Sequence, residues 1–201
     1  MKKVMMVALM ALMTMGLNAQ VFVLESGDIG KVFQNDKKAT VKTDLSKAKI
    51  ANLSSNELTD NLFMEYLKQK DPDVYNEWDK HEKECFEYFT ERWNDVKGAL
   101  RMDGDAQADY TLKIKFDYID MGNVGAALWA MSRKAGGIMM RGTIELVDAS
   151  GKSVCKVKVN DYQGQSVRGF DLKNPNFGRR MALFHKSLAR EFLDFAKKKS
   201  K

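Results

Sequence analysis

Side chains that could bind a metal are scarce, because the chain has only two histidines and two cysteines. His81 and Cys85 are four residues apart, a spacing that places both on one face of a helix. Two such ligands are too few for a zinc site, and no spacing selects His185 or a carboxylate as a further ligand. A histidine beside an apolar helical stripe is far more often packed in the core. We therefore expect no metal site and no cofactor.

Motifs for nucleophilic catalysis are missing from the sequence. Neither a Gly-x-Ser-x-Gly elbow nor a reactive-cysteine signature occurs. The carboxylate pairs Glu82/Glu84 and Asp103/Asp105 fall in a predicted exposed helix and loop. A retaining glycosidase needs two carboxyl groups about 5 Å apart in a cleft, and nothing in the spacing selects such a pair. The sequence therefore favours a protein that is not an enzyme.

The two cysteines lie on predicted core faces, Cys85 on a helix and Cys155 on a strand. They could form a disulfide if their Cα atoms lay within about 7 Å. Two buried free thiols are slightly favoured, because free cysteine is among the most buried residue types.

One segment, Met121–Gly137, is apolar, rich in glycine and free of acids. Gly122-x-x-Gly125 follows a predicted strand and matches part of a dinucleotide-binding motif. Asp120 stands where that motif requires glycine, so we interpret the match as accidental. No nicotinamide cofactor is expected.

Two interpretations of this segment remain. In the first, 126–134 is a short helix that packs Trp129 onto the sheet, which is favoured because apolar residues are usually core. In the second, the segment is an exposed apolar loop with a basic rim that binds an anionic or membrane-proximal partner. The residues that would make this contact are Trp129, Met131, Arg133, Lys134 and Arg141.

The elements around this segment are predicted from periodicity. Residues 109–120 alternate between apolar and polar, as in a strand. Residues 138–147 and 153–161 form a hairpin around the turn at 148–151. A further strand is predicted over 40–50.

Helices are predicted over 57–70, from Asp71-Pro72 to about Val96, and after Asn174-Pro175, where Asp or Asn caps the helix and Pro begins it. The predicted fold class is α+β: a three-to-five-stranded, mainly antiparallel sheet with long helices packed on one face.

The N-terminus has the layout of a secretory signal peptide. Lys2 and Lys3 precede an apolar run over 4–15, and a cut before Gln20 follows the small residue Ala19. We therefore expect residues 1–19 to be a signal peptide and residues 20–201 to form a single domain, periplasmic or secreted. No later stretch is long and apolar enough to span a bilayer.

The formal net charge of +6 includes the two lysines of the predicted signal peptide. The remaining excess is mild and does not by itself imply nucleic acid, and export makes nucleic acid a still less suitable partner. The expected partner is an envelope protein or an anionic envelope polymer.

Several stretches of the sequence resemble those of uncharacterised secreted proteins of gut anaerobes that contain a domain of unknown function: Gly27-Asp28, 40–49, Trp78, 84–89 and 108–112. More distantly, the order of elements and the stretch 141–148 are similar to envelope accessory domains of the TolB amino-terminal type. The second resemblance implies binding rather than catalysis. We therefore expect a binding or interaction module of the envelope. The alternatives are a small hydrolase acting on envelope polymers and a structural subunit of an assembly.

Overall fold

The computed structural model describes residues 20–104, 107–122, 137–165 and 177–201. The strands in these ranges are β1 Phe22–Gly27, β2 Lys38–Asp44, β3 Lys49–Asn52, β4 Glu57–Leu62, β5 Arg101–Met102, β6 Tyr110–Asp120, β7 Met139–Asp148 and β8 Ser153–Gln163. The helices are α1 Phe63–Lys70, α2 Pro72–Asn76, α3 Trp78–Asn94 and α4 Phe177–Lys199, with a short 3-10 helix, Ile29–Phe33.

All eight strands belong to one mixed sheet, in which six follow the order β1-β8-β7-β6-β2-β5. The pairs β1/β8, β7/β8 and β6/β7 are antiparallel. On the other side of β6, both β2 and β3 run parallel to it, and β4 pairs with β3. The prediction of a three-to-five-stranded, mainly antiparallel sheet is therefore wrong, although the α+β class is right. A parallel pair needs a long crossover, and α1–α3 supply it between β2 and β6.

Two predicted elements are divided differently in the structure. Residues 57–62 form a strand rather than the start of a helix. None of their side chains is buried, so they lack the buried stripe of an amphipathic helix. Helix α1 begins only at Phe63. The strand predicted over 40–50 is two strands, because Asp44 accepts hydrogen bonds from both the backbone N–H and the hydroxyl of Ser46 and so forms a turn.

The helix predicted from Asp71 to about Val96 is interrupted at Glu77, which separates α2 from α3. Its start is confirmed: Pro72 is the first helical residue, and the Asp71 carboxylate accepts a hydrogen bond from the N–H of Val74. The hairpin of β7 and β8 is also confirmed, and Asp148 closes its turn by accepting hydrogen bonds from the N–H groups of Ser150 and Lys152.

Helices α3 and α4 lie side by side and run in the same direction. At one end His81 lies against Gly178, and at the other Trp93 stacks on Phe192 with ring centroids 6.0 Å apart. Below them, Phe184 of α4 packs on Phe116 of β6. The core therefore lies between these two helices and one face of the sheet. No helix in the described ranges is long and apolar enough to cross a membrane.

Candidate functional site

The sheet has one face covered by helices and one face without a packed helix among the described residues. Along β6, the side chains of Leu112 and Ile114 are buried, whereas Lys113 and Lys115 between them are exposed. The same alternation continues on β8, where Val157 is buried and its neighbours are not. We call the second surface, defined by Lys113, Lys115, Thr143, Lys156 and Lys158, the open face.

The strand register arranges charges on the open face in two rows. In one row, Lys113 lies opposite Lys42 on one side and Glu145 on the other, and Glu145 lies opposite Lys156. In the next row, Asp44, Lys115, Thr143 and Lys158 follow one another across the same strands. Neighbouring strands are about 4.8 Å apart, and alternate residues of a strand are about 6.7 Å apart. The open face therefore carries a grid of charges at those spacings.

The cations of the open face differ in how they are paired. Lys115 forms an ion pair with Asp117 at 3.0 Å, and Lys156 forms one with Glu25 at 3.4 Å. Lys113 and Lys158, by contrast, have no ion pair with any described residue. These two ammonium groups are therefore available to an external anion.

A shallow cavity of about 600 Å³ lies on the open face where β6, β7 and β8 meet, and Arg141 forms part of its wall. Arg141 donates through Nε and Nη2 to the two carboxylate oxygens of Asp161, at 2.5 and 2.9 Å, and through Nη2 to Oδ1 of Asn56 at 2.9 Å. Its Nη1 donates to no described residue. Arg141 is therefore fixed in position and retains two N–H groups for a ligand.

Backbone strain is concentrated at the partners of Arg141. Asn56 and Asp161 have φ angles of 57° and 46°, and they are the non-glycine residues with positive φ in the described part of the chain. Such a conformation is costly for most L-residues, although Asn and Asp tolerate it best. Residues held in strained conformations cluster at functional sites, which makes this corner of the sheet the best candidate in the described structure.

The strand register shifts at this corner. β6 is irregular between Phe116 and Tyr118, and β8 has one extra residue between Val159 and Tyr162, which pair with Gly142 and Met140 of β7. A Cβ atom on Gly142 would lie 2.0 Å from the carbonyl oxygen of Lys115, so only glycine fits. Bulges of this kind re-aim side chains, and here they bring Tyr118 opposite Arg141.

The structure places one of the five partner-binding candidates in this site. Arg141 lies at its centre, whereas Trp129, Met131, Arg133 and Lys134 lie outside the described ranges. The entrance to that segment is fixed, because Asp120 accepts hydrogen bonds from the N–H groups of Leu53 and Gly122, and Arg180 donates to the carbonyl of Met121. Asp120, which excludes the dinucleotide motif, thus has a structural role.

Sequence reasoning did not identify Asp161, Asn56 or the lysine rows as parts of a site. Lys156 and Lys158 alternate with buried residues along β8, but such an alternation is typical of any strand with one solvated face. The pairing of β6 with β2, which completes the rows, depends on a parallel crossover that no local pattern encodes.

The other predicted chemistry lies on the helix side of the sheet. Cys85 and Cys155 are both buried free thiols, and burial raises the pKa of both, that of Cys155 to about 11. His81 and His185 are also buried. The described ranges contain no group of three or more His, Cys, Asp or Glu side chains that could hold a metal ion.

Comparison with known proteins gives no family. No protein-family model and no curated protein matches the chain. Among solved structures, a variant of the PelC dodecamer from Paraburkholderia phytofirmans is similar at 15% identity and a TM-score of 0.35, covering 85% of this chain and 96% of that one. The PelC dodecamer from the same organism is similar at 14% identity and a TM-score of 0.34, covering 84% and 94%. At TM-scores this low, function has to be argued from the chain's own residues.

Proposed function

We propose that this protein is an exported binding module of the cell envelope that holds an anionic polymer on the open face of its sheet. The observation that carries the proposal is the grid of cations beside Arg141. Lys113 and Lys158 have no ion pair with a described residue, and the Nη1 of Arg141 has no described partner. Phosphate or carboxylate groups are the ligands that such groups prefer.

The spacing of the grid suits a repeating anion better than a single one. Cations on one strand are about 6.7 Å apart, so a flexible chain of charged units can contact several of them. Asp44, Asp117 and Glu145 lie between the lysines and lower the local positive potential. We therefore expect weak, multivalent binding that decreases steeply as salt rises.

A polymer is favoured over a stable protein partner by the lack of an apolar patch. In the described ranges, the exposed large hydrophobic residues are Val21 and Leu58. They lie at separate ends of the sheet, before β1 and on β4, and so form no apolar patch. The cores of protein interfaces are depleted of lysine and acids and enriched in aromatic residues. The open face has the opposite composition, so charge rather than apolar burial must drive its binding.

Export is the second part of the proposal. It is supported by the charged, apolar and small-residue regions of 1–19, which have the order of a signal peptide. The resemblance to TolB-type accessory domains supports a binding role over catalysis. An envelope compartment also offers the anionic polymers that the open face would bind.

The test measures binding of the purified protein to immobilised polygalacturonate and polyphosphate, with uncharged dextran as the reference polymer. The variant Lys113→Gln/Lys158→Gln removes two cations of the open face that have no ion pair with a described residue. The control Lys70→Gln/Lys97→Gln makes the same change in net charge at two exposed lysines outside the open face.

We expect the unaltered protein to bind a polyanion at low salt, the control to bind nearly as well, and the open-face variant to lose most of the binding. Equal losses in both variants would show that net charge alone drives binding. Failure to bind either polyanion at low salt would refute the proposal.

A further inference from the structure

A second cavity, of about 520 Å³, lies on the helix side of the sheet between β2 and α3. Val41 and Thr43 of β2, Phe86 and Phe89 of α3, and His185 of α4 line it. Beyond Ala39, no described strand pairs with the outer edge of β2. The cavity therefore opens at an edge of the sheet and reaches the interface between the two long helices.

The hydrogen bonds of His185 determine which of its ring nitrogens carries a proton. Nδ1 lies 2.8 Å from the carbonyl oxygen of Met181. A carbonyl can only accept a hydrogen bond, so Nδ1 must be the donor and carry the proton. In the neutral ring Nε2 is then a hydrogen-bond acceptor.

Nothing in the described part of the chain donates to that acceptor. His185 is only 2% exposed, and its Nε2 is buried without a hydrogen-bond partner among the described residues. Leaving a buried acceptor unpaired is costly, and such exceptions in native structures require an explanation. A donor supplied by a ligand in the adjoining cavity would remove this cost.

The ring of His185 is held in one orientation, so its acceptor is preorganised. Phe116 and Phe184 pack against it with ring centroids 6.0 and 5.6 Å away. Burial also lowers the pKa of His185 to about 4, which keeps the ring neutral in ordinary buffers.

The remaining walls define the rest of the ligand. Phe86 and Phe89 offer aromatic surface, against which another aromatic ring packs well. The rim carries two acids, Asp79 and Glu82, and two bases, Lys42 and Lys83, so it selects no net charge. The volume is within the range of sites for small molecules, about 300–1,000 Å³.

We infer that this cavity binds a small, uncharged, hydroxylated aromatic compound whose hydroxyl group donates a hydrogen bond to Nε2 of His185. The inference does not depend on polyanion binding, because the cavity lies on the helix side of β2 and shares with the charge rows of the open face only Lys42, at its rim. Either one can fail while the other holds.

The test uses phenol as the probe and toluene as a matched probe, in which a methyl group replaces the hydroxyl. Binding to the purified, nitrogen-15-labelled protein is followed by NMR, which reports both the backbone amides around the cavity and the ring nitrogens of His185. One additional hydrogen bond corresponds to a preference of about tenfold. We therefore expect phenol to bind about tenfold more tightly than toluene and to shift the Nε2 signal of His185.

Two variants locate the effect. His185→Phe should bind phenol and toluene equally, because the acceptor is gone. Phe86→Trp, at a half-buried position, should fill the cavity and weaken the binding of both phenol and toluene. If His185→Phe does not fold, Phe86→Trp by itself tests whether the probes bind in this cavity. Equal binding of the two probes by the unaltered protein, absence of binding, or shifts confined to residues outside the cavity would each overturn the inference.

Discussion

The guanidinium group of Arg141 donates two hydrogen bonds to the carboxylate of Asp161, and Asp161 has a left-handed backbone conformation with φ of 46°. The same guanidinium bonds Asn56, at the turn after β3, whose φ is 57°. One side chain thus joins a bulge on β8 to a turn two strands beyond β7. This arrangement combines a fixed cation with two strained residues.

Replacing Arg141 with glutamine should destabilise the fold. The variant leaves both left-handed residues without the charge-assisted hydrogen bonds that hold them, and such bonds contribute about 1.5–3 kcal/mol in favourable cases. Since the pair is partly exposed, with side chains 27% and 38% accessible, we expect a loss of about 1 kcal/mol. Urea denaturation measures the free energy of unfolding directly.

The control for Arg141 is Lys158→Gln, which removes a cation of the same face that has no ion pair with a described residue. Its free energy of unfolding should change by less than about 0.5 kcal/mol. If the two variants were equally stable, Arg141 would not be a structural anchor of the site.

A second prediction concerns the bulge beneath Arg141. Gly142→Ala would place a Cβ atom 2.0 Å from the carbonyl oxygen of Lys115, and two backbones cannot separate without breaking the pairing of β6 with β7. We expect a loss of more than about 2 kcal/mol in the free energy of unfolding. Gly104→Ala is the matched control, because its Cβ would meet nothing closer than a Phe86 ring atom at 3.8 Å. A Gly142→Ala variant as stable as the control would contradict the structure.

The sequence predicted those elements whose pattern is local. The period-two alternation over 109–120 and the turn at 148–151 predicted β6 and the β7–β8 hairpin, and Asp71-Pro72 predicted the start of a helix. These signals depend on neighbours within a few residues. They therefore do not require knowledge of the tertiary structure.

Local sequence patterns did not predict which strands pair with one another in the sheet. Lys42 and Lys113 are far apart in the sequence, and only the crossover through α1–α3 makes them neighbours. The site depends on the same kind of information, since Asn56, Arg141 and Asp161 meet through three separate strand pairings. Arg141 was predicted as one of the contact residues of the segment Met121–Gly137, and its anchoring partners could not be inferred from spacing.

The cysteines provide a third prediction. In the native protein, neither thiol should react with a thiol reagent at about pH 8, because both are buried and burial raises the pKa of Cys155 to about 11 and that of Cys85 further. After denaturation without reductant, two thiols per chain should react. Absorbance titration counts them. Finding no reactive thiol in the denatured protein would instead establish a disulfide between Cys85 and Cys155.

A fourth prediction concerns export. When the full chain is expressed in a bacterial host with a periplasm, the processed protein should begin at Gln20, because the apolar run over 4–15 and the small residue Ala19 directly before the cut match what signal peptidase recognises. Intact mass measurement of the envelope fraction identifies the new N-terminus. Replacing Leu9 and Leu12 by Asn should keep the unprocessed chain in the cytoplasm, because it interrupts the apolar run. If the unaltered protein kept residues 1–19 after expression, export by this route would be contradicted.

The last prediction is a dependence of stability on pH that arises from His185. Its pKa in the folded protein is about 4, below the ordinary value of 6.5, because burial disfavours the charged ring. The unfolded chain therefore binds more protons between these values, and stability must fall as pH decreases through this window. From pH 6.5 to about pH 5, where few carboxylates titrate, we expect a loss of about 1.5 kcal/mol.

His185→Phe should flatten this slope whatever its absolute stability, since it removes the proton-binding group and keeps a ring in the core. Urea denaturation at several pH values compares the two slopes. If the variant kept the full slope, the pH dependence would have to arise from another group.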